Sequence, residues 1–117
     1  MDSTDVRLEQ IRRLTVQLQK KYPAEMNAFL NFSGKAEAGL ALSLREKEIT
    51  NVALSVAAQC DWCIALHVKN AVAAGATRDE LMEAGFLAVL MHGGPALMYL
   101  ITLTSSLDEL LPDKNRE

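Results

Sequence analysis

The sequence predicts an all-α fold, a single small domain of five to six helices, on three observations. Apolar residues recur at helical spacing along nearly the whole chain, and no stretch alternates with the period of two that a half-buried strand needs. Two Ser/Thr-x-x-Glu boxes also stand directly before such periodic runs, marking helix starts. At 117 residues the chain fits one domain, long enough to bury a core of its own. Half of it is apolar and 23% is charged, which argues against disorder. The formal net charge is −3 with both signs interspersed, so neither a nucleic-acid footprint nor a polybasic membrane face is present.

The elements follow in order. Residues 4–21 set Val6, Leu8, Ile11, Leu14 and Leu18 among charges, an amphipathic first helix expected to lie peripherally. Pro23 suits the first turn of a second helix carrying Met26, Phe29 and Leu30. The small, polar NFSGKAEAG run over 31–39 predicts an irregular connection. Ser43 and Glu46 form a capping box that starts the third helix, with Ile49, Val52, Ala53 and Val56 on one face. Past CDWC, Ile64, Val68, Ala71 and Val72 continue a helical repeat until Gly75 ends it. Thr77 and Glu80 give the second box, opening a helix through Met91. Pro95 starts the last helix, with Leu97, Leu100, Ile101, Thr104 and Leu107 on one stripe, and PDKNRE is expected to fray.

Residues 84–101 contain no Asp, Glu, Lys or Arg, yet Gly93-Gly94-Pro95 divides them, so two buried helices are expected rather than a membrane span. FLAVLM, apolar all round, should be enclosed on every side. So small a domain hides such a helix best in a homo-oligomer. The polar, charged N-terminus does not read as a signal peptide, so a reducing cytoplasm is the expected location. Paired cysteines there point to redox or metal chemistry more than to a structural staple.

The only two cysteines lie in CDWCIALH, residues 60–67. At about 100° per helical residue, Cys60, Cys63 and His67 fall on one narrow face, the thiols one turn apart and the imidazole one turn beyond Cys63. Only a thiolate is a nucleophile, and a helix N-terminus and a nearby base both favour it. A chain break around Gln59–Asp61 would put the cysteines at such a terminus, with Asp61 able to cap it while its charge opposes thiol ionisation. A metal site is an alternative, but it needs a fourth ligand from His92 or an acid and lacks the second CxxC or HxxxH of structural zinc sites. Two small core residues and a satisfied histidine are the bland alternative. A thioredoxin-type fold fails for want of strands. Trp62 either shapes a pocket beside the thiols or simply packs; His92, beside the Gly-Gly turn, reads as a packing or surface residue.

With these residues in view, the sequence resembles the carboxymuconolactone decarboxylase superfamily, specifically its alkylhydroperoxidase D-like branch. The resemblance runs from about Phe29 to Leu103, the expected core of the single domain over 1–117. It rests on Leu44, Arg45, Glu46, Glu48, Cys60, Cys63, His67, Ala71, Gly75, Ala76, Thr77 and Glu80, followed by the GGP turn. It implies an all-helical subunit in a trimer or a hexamer, and a site made of Cys60, Cys63, His67 and Glu48. On one unbroken helix Glu48 would lie roughly 18 Å from Cys60, so that site requires the chain to turn near Gln59. Arg45, Glu46 and Lys47 are expected as surface or capping residues.

The function so implied is a thiol-dependent hydroperoxidase or disulfide reductase with an antioxidant role. It would cycle Cys60 and Cys63 between dithiol and disulfide, with Cys63 attacking and His67 and Glu48 relaying protons. No cofactor is expected; the partners are a hydroperoxide substrate and a dithiol donor protein or small thiol, with neither nucleic acid nor membrane. A redox-responsive binding or assembly protein of the same fold is the rival reading. Lactone decarboxylation is disfavoured because the decarboxylase branch lacks the cysteine pair.

Overall fold

The computed structural model describes residues 3–112, and these form six helices with no strand among them. In chain order they are α1 (Thr4–Lys21), α2 (Pro23–Glu37), α3 (Leu44–Ala57), α4 (Asp61–Ala73), α5 (Arg78–His92) and α6 (Gly94–Leu110). Helices α3 to α6 pack against one another, α1 lies across α4 and α6, and α2 rests on α1. The core is built from short-spaced apolar positions on these four helices, such as Val52 and Val56, Ile64 and Val68, Leu81, and Leu103 and Leu107. All are removed from water. Burying a side chain of this size contributes about 1.5–3 kcal/mol. No helix among the described residues is long and apolar enough to cross a membrane.

Both predicted capping boxes form. Ser43 Oγ accepts from Glu46 N (3.0 Å) while Glu46 Oε1 accepts from Ser43 N (2.9 Å), and Thr77 and Glu80 repeat the exchange. Those bonds from Ser43 hold the Glu46 carboxyl below its ordinary value of 4.5. A lowered folded-state value means that stability from this group is fully present above pH 4.5 and fades as pH falls through the folded value. Glu46→Gln is therefore expected to flatten the acid side of the stability–pH curve, measured by urea unfolding at a series of pH values.

Four expectations need correction. The run over 31–39 is helical as far as Glu37, and only residues 38–43 are irregular. Phe29, Phe32 and Ala36 continue a helical stripe through it, and one glycine costs a solvated helix only about 1 kcal/mol. FLAVLM is not enclosed within the subunit: Leu90 and Met91 are 76% and 77% exposed, whereas Ala84, Gly85 and Ala88 face the core. The buried stripe of α6 runs through Ala96, Leu100, Leu103 and Leu107, leaving Leu97 and Ile101 outside. In α1 the buried residues are Thr4 and Arg7, while Val6 and Leu14 stay exposed. The frayed-tail expectation falls on residues 113–117, outside those described; Pro112 itself is exposed.

The inward turn of small residues has a steric cause. A Cβ on Gly85 would lie 2.7 Å from Leu103 Cδ2 and 2.8 Å from Leu100 Cδ2, so α5 and α6 approach there too closely for a side chain. Both leucines are buried and have little room to yield. Gly85→Val is expected to destabilise the fold by about 1–3 kcal/mol, read from the urea midpoint.

Candidate functional site

The site begins where α3 stops. Ala58 N donates to Leu54 O (2.9 Å) to close the helix, and Gln59 then takes φ 56°. That left-handed step is uncommon for a residue with a Cβ, and it reverses the chain within three residues. Cys60 N returns to Ser55 O (3.2 Å) and Cys60 becomes the N-cap of α4. The predicted break is thus in place, and α4 runs back alongside α3.

The reversal has two consequences. First, Cys60 and Cys63 sit on the opening turn of α4 with Cα atoms 5.2 Å apart, joined by a disulfide. Cys60 Sγ, not Asp61, caps the helix by accepting from Cys63 N at 3.1 Å. Asp61 turns away, receiving Thr102 Oγ1 of α6 at 2.6 Å and lying 3.8 Å from Arg7 Nη2 of α1. Second, Glu48 on α3 faces His67 on α4, with Oε2 3.1 Å from Nδ1, while its Oε1 accepts from Asn51 Nδ2 at 3.1 Å.

Glu48 is only 2% exposed. A buried carboxylate is costly unless each oxygen has a partner, and here both do. A carboxylate accepting from Nδ1–H leaves Nε2 as the lone-pair nitrogen of His67. The ring sits one turn past Cys63 on the same face and borders a cleft of about 340 Å³ whose walls include Phe29, Phe32, Lys47 and Asn51. On the other side Trp62, 49% exposed, donates Nε1–H to Gln10 Oε1 at 2.7 Å. There it borders an apolar groove of about 660 Å³ lined by Ile11, Leu14, Leu18, Met26 and Phe29.

The structure therefore brings together the two cysteines and, separately predicted, the Glu48–His67 pair. It leaves His92 exposed at the end of α5. Arg45 pairs with Glu80, and Lys47 Nζ donates to Glu37 O (2.7 Å) and to Gly39 O, bracing the α2–α3 connection. Among the described residues no group of three His, Cys, Asp or Glu is arranged to hold a metal ion. Sequence reading missed Asn51, whose i+3 spacing from Glu48 was a usable signal. It also missed Arg7 and Thr102, which reach the site from distant helices and leave no local signature.

Fold and site together define an all-helical protein that carries a CxxC disulfide at the mouth of one helix and, a turn further along that helix, a histidine paired with a buried carboxylate. The chain belongs to the carboxymuconolactone decarboxylase family, whose model matches residues 23–105. Uncharacterized protein 4 in the cox locus of Paracoccus denitrificans is 39% identical over 84 residues, 72% of this chain and 76% of its own. An uncharacterized protein of Cupriavidus necator is 35% identical over 104 residues, 89% of this chain and 92% of its own. The crystal structure of an apo carboxymuconolactone decarboxylase family protein from Legionella pneumophila aligns with a TM-score of 0.86 and 34% identity. That alignment covers 92% of this chain and 96% of the other.

Proposed function

We propose that this protein is a thiol-dependent hydroperoxidase or disulfide reductase of the alkylhydroperoxidase D-like type, acting in the cytoplasm as an antioxidant enzyme. The observation that carries the reading is the Cys60–Cys63 disulfide on the first turn of α4, in register with His67 and its Glu48 partner. In the reduced form, His67 Nε2 takes the Cys63 proton, directly or through a water, and Glu48 stabilises the imidazolium. The Cys63 thiolate attacks the terminal oxygen of a hydroperoxide. The O–O bond breaks, the leaving alkoxide takes the proton from His67 as alcohol, and Cys63 becomes a sulfenic acid. Cys60 sulfur then attacks Cys63 sulfur, forming the S–S bond and releasing water with the Cys60 proton. A donor dithiol supplies two electrons and two protons to restore both thiols, no cofactor being required.

The test is a thiol titration coupled to a turnover assay. Reduced protein should present two thiols, lose both to one equivalent of hydroperoxide, and oxidise a small dithiol such as dithiothreitol for many cycles. A second reading, a redox-responsive assembly protein, draws support from the broad apolar face that Phe86, Leu87, Leu90, Met91, Met98 and Ile101 leave open. In either case we take that face to be covered by further copies in a homotrimer or hexamer. One stoichiometric oxidation that changes the mass seen by light scattering, without turnover, would select the assembly protein.

A further inference from the structure

Helix α1 buries only two residues, Thr4 and Arg7, and both are polar. It also lies outside the residues matched by the family model, so its role is not given by membership. Thr4 is anchored twice on α6: its Oγ1 lies 2.9 Å from Ser106 Oγ, and its N–H donates to Glu109 Oε2 at 3.0 Å. This pin sets Arg7, one turn on and 6% exposed, over the opening of α4. There the guanidinium lies 3.8 Å from Asp61, whose other oxygen is held by Thr102. Desolvating an arginine is costly, and an otherwise thinly packed helix gains little from doing so unless the charge is needed. Asp61 directly follows Cys60, the cap of α4, so an uncompensated carboxylate there would oppose thiolate formation at both sulfurs.

We propose that Arg7 is a positioning residue for the dithiol: with Thr102 it draws the Asp61 carboxylate toward α1 and α6 and cancels its charge at the mouth of α4. This rests on Cys60 and Cys63 working as a redox dithiol. Charged and titratable groups that reach that turn include Arg7 from α1, Glu48 from α3, and Asp61 and His67 on α4, while Asp5, Glu9 and Arg12 of α1 and Lys69 of α4 line the adjoining seam; α6 contributes neutral Thr102, and its Glu109 accepts from Thr4 N. All of these groups except Arg7 and Asp61 are left unaltered in every variant below, so their influence is common to all of them.

The test is the pH dependence of iodoacetamide alkylation of the reduced full-length protein, with far-UV circular dichroism as the fold check. Arg7→Met should raise the midpoint of thiolate formation by about one pH unit, and Asp61→Asn should lower it. The double variant Arg7→Met/Asp61→Asn should return it close to the native value, and Arg7→Lys should leave it near native. A role in packing alone would not give opposite signs that cancel. A midpoint unmoved or lowered in Arg7→Met overturns the proposal, as does a double variant that remains as displaced as Arg7→Met. If Arg7→Met loses its helical spectrum, Arg7→Gln replaces it with the same outcomes. Turnover failing while this pattern holds would sink the peroxidase reading alone; intact turnover with a flat pattern would sink only the role of Arg7.

Discussion

Cys63→Ser is expected to drop peroxide-dependent oxidation of a dithiol donor to the uncatalysed background. A serine hydroxyl is not deprotonated at neutral pH beside an imidazole alone, and it forms neither a sulfenic acid nor a disulfide. The fold should survive, because the Cys63 backbone N–H still donates to Cys60 Sγ and the loop closed by the bridge is short. Cys60→Ser should behave differently: one hydroperoxide is consumed and a sulfenic acid stays on Cys63, visible by mass spectrometry as one added oxygen. Because Cys60 occupies the cap of α4, its sulfur is the one closest to the helix terminus. A sulfenic acid on Cys60 in Cys63→Ser would therefore reverse the order of attack. Residual multiple turnover in Cys63→Ser would remove the dithiol cycle altogether.

Glu48→Gln should lower kcat by about 10²-fold or more with KM little changed, since it removes an interaction made as His67 becomes charged. Glutamine matches the volume and can still accept from Nδ1–H, so the ring orientation is retained while the stabilising charge is lost. Asn51→Ala should have a smaller effect, because it touches only the second carboxylate oxygen. Steady-state kinetics with a single hydroperoxide and donor would separate these. An unchanged kcat in Glu48→Gln would mean that thiol ionisation depends on the α4 terminus and not on the relay.

How much of this was legible in the sequence differs by residue. The starts of α3 and α5 could be read because a capping box is a local exchange between residues three apart. The register of Cys60, Cys63 and His67 was readable for the same reason, all three lying on one helix. The partnership of Glu48 with His67 needed both the family resemblance and a turn near Gln59, and nothing in a lone glutamine announces a positive φ. The stripe of α6 was read correctly at Leu100 and Leu107, but Leu97 and Ile101 were placed on it in error. Leu97 and Ile101 are as apolar as Leu100 and Leu103, and periodicity alone does not tell which face meets Gly85. The same ambiguity hid the outward turn of Phe86, Leu87 and Leu90.

By itself the sequence determined that this chain is helical, where most of its helices begin, and that two thiols and an imidazole share one face. These are consequences of interactions between residues within about a turn of one another. Tertiary structure alone decided that Arg7 and Thr102 draw Asp61 away from the α4 cap, and that the bulky side of α5 looks outward. Those outcomes depend on how closely whole helices approach and on where buried charges find partners, and neither quantity has a local signature along the chain.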